Sequence, residues 1–151
     1  MKASTMSLIV GVDDTEGSAA AIDEAVRLAV DLDATVTFVH VGKPPSALLG
    51  EPYYKRALSA DLGPGRRALA AAVEAAQLAG VEADAELLEG DPADELVSLA
   101  DNRDADLIVV GSRGYGALAG ALLGSVSRSV VQHASRPVVV AKQRARVPQV
   151  A

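Results

Sequence analysis

The sequence predicts a single doubly wound α/β domain, a parallel sheet with helices on both faces. Three observations carry that prediction. Short apolar runs alternate with helix-period segments along the 151 residues, which is the pattern of successive βα units. The runs are Val-, Ile- and Leu-rich, as expected of strands covered on both faces. Half of the residues are hydrophobic but only 3 % are aromatic, so the core must be built from aliphatic side chains and alanine, which suits helices packed closely on a Val-rich sheet. The chain is long enough for one domain with a sizeable core and is read as one unit over 1–151, with 146–151 a frayed tail.

The elements follow in order. SLIVGV (Ser7–Val12) is a buried strand closed by the turn Asp13-Asp14-Thr15. Ile22, Val26, Ala29 and Leu32 have helical spacing, and Thr15 or Ser18 is expected to cap that helix. ATVTFVHV (Ala34–Val41) is a β-branched second strand. Residues 42–65 hold Pro44, Pro45, Pro52 and Pro64 and read as a long irregular connection, a length that often marks a functional flap. An Ala-rich helix then runs to a stop at Gly80, and VEADAELLEG is the third strand. Asp91-Pro92 reads as an N-cap followed by the first helical residue, with Leu96, Val97 and Ala100 on the apolar face. DLIVVG is the fourth strand, SVSRSVVQHA a helix opening at Ser125, and PVVVA (Pro137–Ala141) the fifth strand.

Charge narrows the functional classes. The net charge of −6 argues against nonspecific nucleic-acid binding. All 20 acidic residues lie within 1–106, whereas 107–151 carries six Lys and Arg and no acid. That distribution is either a solvated basic tail or a field that favours an anion. The absence of cysteine excludes disulfides and thiolate metal sites and fits a reducing compartment. No apolar run is long enough to span a bilayer and no signal-peptide core is present, so the expectation is a soluble, cytoplasmic protein without a membrane role.

The acid-free part contains GSRGYGALAGALLGS (Gly111–Ser125), with five glycines in fifteen positions. Glycine permits close approach of a ligand to the main chain. Gly124-Ser125 opens a helix, and a helix N-terminus offers unpaired N–H groups and a partial positive charge to a phosphate. Ser125, Ser127 and Arg113 add donors, so a polyphosphate cradle is one reading and a tight packing turn the other. The P-loop pattern is absent, and the near-match Gly114-Tyr115-Gly116 has no acidic residue after it, which argues against a dinucleotide site. His40 lies between two valines in a strand and reads as a satisfied buried histidine. No Ser-His-Asp order and no metal-ligand cluster stands out, so support for catalysis is thin.

Gly111-Ser112-Arg113-Gly114, nine residues and then Gly124-Ser125 match the G-x2-G-x9-G-[ST] signature of the universal stress protein family and resemble its ATP-binding branch. IVGVDDT, the VHV of residues 39–41, GDPADELVSLA and SRPVVV resemble further segments of that family in the same order, so the resemblance covers nearly the whole chain. It implies an adenine nucleotide alpha hydrolase-like fold. It also implies that Gly111, Ser112, Arg113, Gly114, Gly124, Ser125, Val126 and Ser127 hold phosphates and ribose. Asp13 would lie near the ribose, the adenine or a metal, Gly11 and Val12 would line the same edge, and Val41 would meet the adenine through its main chain. Asp14 stands where the family often has glycine; it would help Asp13 hold Mg²⁺, or repel a polyphosphate when no metal is present. A homodimer joined through Val138, Val139 and Val140 is implied as well, and an exposed apolar edge strand would otherwise invite aggregation.

The expectation is therefore a five-stranded sheet of order 3-2-1-4-5, with ATP and Mg²⁺ at the carboxyl edge between strands one and four and a nucleotide-dependent stress or signalling role. The alternatives are a slow ATPase, a nucleotide-free interaction module, and a variant that takes a cyclic nucleotide.

Overall fold

The computed structural model describes residues 5–13, 16–42, 53–112 and 123–142, with the side chains of 16–17 and 53–62 excepted. The chain order is β1 (Ser7–Gly11), α1 (Glu16–Leu32), β2 (Thr35–Gly42), α2 (Tyr53–Leu78), β3 (Ala83–Glu89), α3 (Pro92–Asn102), β4 (Leu107–Gly111), α4 (Ser125–His133) and β5 (Val138–Ala141). The strands form one five-stranded sheet of order β3-β2-β1-β4-β5, and every pairing is parallel, as the sequence predicts.

Side-chain alternation along these strands feeds two cores. Leu8, Val10, Val36, Phe38 and Val109 point to one face, against Ala21, Ala25 and Ala29 of α1 and Leu69, Ala72 and Ala76 of α2. Ile9, Val39, Ile108 and Val110 point to the other, against Ala93, Leu96 and Ala100 of α3 and Val130 of α4. Alanine dominates the buried helix positions, so the helices lie close to the sheet, and Phe38 is the largest fully buried side chain. The inward face of Gly11 follows the same rule: a Cβ there would sit 3.0 Å from Leu96 Cδ1.

Helix boundaries have identifiable causes. Asp91 caps α3, its side chain accepting from the Asp94 N–H at 3.1 Å with Pro92 just inside, as expected. Gly80, at φ +78°, follows α2. Asp33 and Asp104 take the same left-handed conformation (φ 53° each) after α1 and α3, a role that aspartate tolerates better than most residues.

The structure corrects two expectations. Ser18 does not precede α1 but lies in its first turn, because the helix begins at Glu16; Thr15 lies outside the described residues. The irregular connection is also shorter than expected. Tyr53 to Gly65 belongs to α2, which continues through Pro64, and 43–52 lie outside the described residues. Gly63-Pro64-Gly65 reads locally as a helix stop. Tertiary packing overrides it: Gly65 is buried, with its bare Cα pressed on the ring of His40, and an added Cβ would lie 2.8 Å from the ring Cγ.

At the amino edge of the sheet the chain is tied by polar side chains. Asp106 Oδ2 accepts from the Ser7 N–H at 2.8 Å. Arg136 reaches Asp104 at 2.7 Å and Asp101 at 3.4 Å, joining the entry of β5 to the end of α3. The Ser135 hydroxyl, and then Arg136, hold the Asp101 carboxyl below its ordinary range. A lowered folded pKa adds stability above the unfolded value that is lost as the pH falls through the folded one; here the group is exposed and the effect is screened.

The Gly65 contact is directly testable. Gly65→Ala gains about 1 kcal/mol of helix propensity but overpacks a pinned ring at a cost of about 1–3 kcal/mol. The expected outcome is a lower urea midpoint with an unchanged m-value; a raised midpoint would show that α2 does not need glycine there.

Candidate functional site

Two groups of residues meet at the carboxyl edge. The first is built where β1 ends. The β1–β2 ladder runs from Ser7↔Thr35 to Gly11↔Val39, and one further rung joins the Val12 N–H to the Val39 carbonyl at 2.8 Å. Val12 is buried and Asp13 partly so. The Asp13 N–H donates to Ser18 Oγ at 2.6 Å, and the Ser18 hydroxyl donates back to Asp13 Oδ1 at 2.7 Å. The first turn of α1 thus holds Asp13 by main chain and side chain together. Ser18 is itself buried, 6 % exposed.

Beside it, β2 runs on past the end of β1. The Thr35 N–H donates to Met6 and the Val39 carbonyl accepts from Val12, whereas the Val36 N–H and the Gly42 carbonyl bond to the β3 side, through Glu82 and Gly90. Odd-numbered residues of β2 therefore turn their main-chain groups to β1. Val41 is odd, so its N–H and C=O face the column of β1 beyond Gly11. His40, on the opposite pleat, sends Nδ1 to the Val12 carbonyl at 2.9 Å. It is satisfied, as the sequence suggests, but partly rather than fully buried.

The second group is built where β4 ends. Gly111 pairs with Ala141, and the Ser112 N–H donates to the Ala141 carbonyl at 2.9 Å. The Ser112 carbonyl then accepts from two groups: the Gly124 N–H at 2.6 Å and the Ser127 hydroxyl at 3.2 Å. These bonds draw together the two ends of the glycine-rich stretch, so that α4 starts directly beside the end of β4. Ser127 is 2 % exposed, and its hydroxyl also approaches the Gly124 carbonyl at 3.1 Å. Its side chain therefore joins α4 to the end of β4, whereas Ser125 and Val126 lie on the outside of the first turn.

Gly124 is the N-cap of α4, with extended backbone (φ −74°, ψ 171°), no side-chain capping bond and no acidic residue in the first turn that follows. The N–H groups of that turn receive nothing from a cap side chain, and the dipole leaves a partial positive charge at the end of β4. Since β1 and β4 are neighbours, this terminus shares the edge with Val12, Asp13 and Val41. Arg113, Gly114 and Asp14 lie outside the described residues. The part played by Ser18 was missed in the sequence as a partner of Asp13; the available signal was a Ser five residues after an Asp at a strand–helix junction. Among the described residues no group of three or more His, Cys, Asp or Glu is placed to hold a metal by itself, and no helix is long and apolar enough to cross a membrane.

The Ser127 bond has a measurable cost. Ser127→Ala removes one hydroxyl from the Ser112 carbonyl, which keeps the Gly124 N–H, so the expected loss is about 0.5–1.5 kcal/mol in chemical denaturation. A neutral result would mean that the backbone bond alone holds Gly124 to Ser112.

Comparison with known proteins agrees with this architecture. Residues 5–142 match the universal stress protein family. The chain is 34 % identical over 144 residues to universal stress protein YxiE of Bacillus subtilis, covering 89 % of this chain and 97 % of that one. A universal stress protein solved in complex with cAMP aligns with a TM-score of 0.71 at 28 % identity, covering 93 % of this chain and 98 % of the other. The universal stress protein of Archaeoglobus fulgidus in complex with dAMP aligns with a TM-score of 0.71 at 27 % identity, covering 91 % and 98 %. On its sheet order, its carboxyl-edge geometry and the match over nearly its whole length, this chain belongs to the universal stress protein family.

Proposed function

We propose that this protein binds an adenine nucleotide, ATP in its working state, between the ends of β1 and β4, and uses occupancy of that site in a stress or signalling response. The observation that carries the reading is the α4 N-terminus, which has a glycine N-cap with no side-chain capping bond, has no acid in its first turn, and is held against β4 by the Ser112 carbonyl. The similar proteins solved with cAMP and dAMP support the adenine nucleotide class.

In this reading the main chain of Gly124, Ser125, Val126 and Ser127, with Gly111, Ser112, Arg113 and Gly114, holds phosphates and ribose, while Gly11, Val12 and Asp13 line the ribose side. Val41 offers one N–H and one C=O to the base. Mg²⁺ is commonly held by one or two carboxylates together with substrate phosphates. Asp13, fixed by Ser18 at this edge, fits that sparse donor set, and the ion would neutralise phosphate charge there. Nothing among the described residues marks a base for hydrolysis, so binding is preferred to turnover.

The same reading includes a homodimer through β5. Pro137 and Ala141 turn their carbonyls to β4, so by strand alternation Val138 and Val140 present main-chain groups outward. Val138, Val139 and Val140 are only partly buried. An unpaired edge with this composition is the kind that a second copy covers.

Two experiments test the proposal. The first is analysis of nucleotide extracted from the denatured protein, followed by titration with ATP, ADP, AMP and cAMP with and without Mg²⁺. Gly124→Asp is its discriminating variant: a carboxylate N-cap stabilises α4 by about 0.5 kcal/mol but repels phosphate. Unchanged or raised stability with loss of at least about tenfold in nucleotide affinity, about 1.4 kcal/mol, is expected; retained affinity would remove α4 from the site. In the second, Val138→Pro deletes an outward N–H at the first residue of β5, where proline is tolerated. Light scattering should then show a folded monomer in place of the dimer. A dimer that persists would place the interface elsewhere.

A further inference from the structure

The imidazole of His40 sits between the chain that follows β1 and the buried face of α2. On one side its Nδ1 lies 2.9 Å from the Val12 carbonyl. A carbonyl oxygen only accepts, so Nδ1 carries a proton in this bond. On the other side the ring lies against the bare Cα of Gly65 in α2, where any Cβ would collide with it. The ring is therefore seated from both directions, and its direction is set by packing as well as by the hydrogen bond.

The place of the bond in the sheet gives it meaning. In a parallel pair, donors and acceptors alternate between the strands. The last rung made by main chain alone is Val12 N–H to the Val39 carbonyl at 2.8 Å. The next acceptor in that succession is the Val12 carbonyl, and the next donor is the Val41 N–H. The His40 ring reaches this acceptor from within β2 itself. We propose that His40 is a positioning residue of the base subsite: its Nδ1–H takes the rung that would belong to Val41, and so directs the Val41 N–H and C=O to an adenine ring instead of to β1.

The ligand in this inference rests on the adenine-nucleotide reading above; the rung rests on geometry alone. One strand-edge N–H and one C=O match the acceptor N1 and the donor N6 amine of adenine. Hypoxanthine reverses both, with a protonated N1 and a carbonyl oxygen at position 6. His40 thus governs which purine is accepted, whereas the phosphates are held at α4 regardless of the base.

The test compares AMP and IMP affinities of the wild-type protein, His40→Asn and His40→Leu by calorimetry, together with amide exchange of Val39 and Val41 in the unliganded proteins. Asparagine can place an amide N–H near the position of Nδ1, whereas leucine fills space without a donor. The wild type should prefer AMP by about tenfold or more, the scale of one or two directed hydrogen bonds. Asparagine should keep most of that ratio. Leucine should bring it close to one while AMP and IMP still bind. In the unliganded proteins, Val41 should exchange faster than Val39 in the wild type and slow about tenfold in His40→Leu as it joins the ladder. A folded His40→Leu protein that retains the purine ratio overturns the specificity role, and unchanged Val41 exchange overturns the rung. A wild type that binds neither nucleotide overturns the nucleotide reading and the base subsite with it, and the exchange comparison then decides the rung by itself.

Discussion

Parallel pairing on both sides of β1 commits every strand to end on one edge of the sheet. Everything else at the site depends on that constraint. With β2 and β4 flanking β1, three strand ends converge. Past the end of β1, Asp13 is bonded to Ser18 of α1; past the end of β4, the Gly124 N–H bonds to the Ser112 carbonyl. Crevices where sheet order reverses are where ligands bind in open α/β folds, and here that position coincides with a helix N-terminus lacking a side-chain cap.

The two edges of the sheet are finished differently. At the amino edge, Arg136 with Asp101 and Asp104, and Asp106 with the Ser7 N–H, join elements through charged or polar side chains. These groups are partly or largely exposed, so each adds little by itself, but together they tie the starts of β1 and β5 to their neighbours. At the carboxyl edge the joining groups are mostly main chain and small hydroxyls: Ser18, Ser112 and Ser127 are all buried. A ligand that approaches backbone N–H groups needs such an edge, because longer side chains would stand in its way.

His40 and Gly65 show how a binding edge and a packing requirement share the same atoms. The glycine is needed because an imidazole occupies the space of its side chain, and the imidazole is held there by a main-chain carbonyl of β1. That arrangement runs from α2 across β2 to Val12, next to Asp13. It also accounts for a helix that continues through Gly63-Pro64-Gly65, since burial of α2 on the first core outweighs local breaker chemistry.

What the sequence determined by itself was whatever depends on neighbours along the chain. The Val-rich runs, the Asp91-Pro92 cap, the Gly80 stop and the G-x2-G-x9-G-[ST] spacing are local, and each was legible as an element, an end or a family signature. The strand order was expected from that pattern and is present in the fold; a shared edge for Gly11, Val12, Asp13, Val41, Gly111, Ser112 and Gly124 was implied by the family resemblance, and β1, β2 and β4 lie side by side in the sheet. Long-range packing was needed to make 53–65 helical, to turn Ser18 back to Asp13, and to direct the Ser127 hydroxyl to the Ser112 carbonyl rather than outward. Those outcomes depend on contacts between residues brought together by the sheet, where burial and hydrogen-bond satisfaction outweigh the small local preferences that a linear reading can weigh.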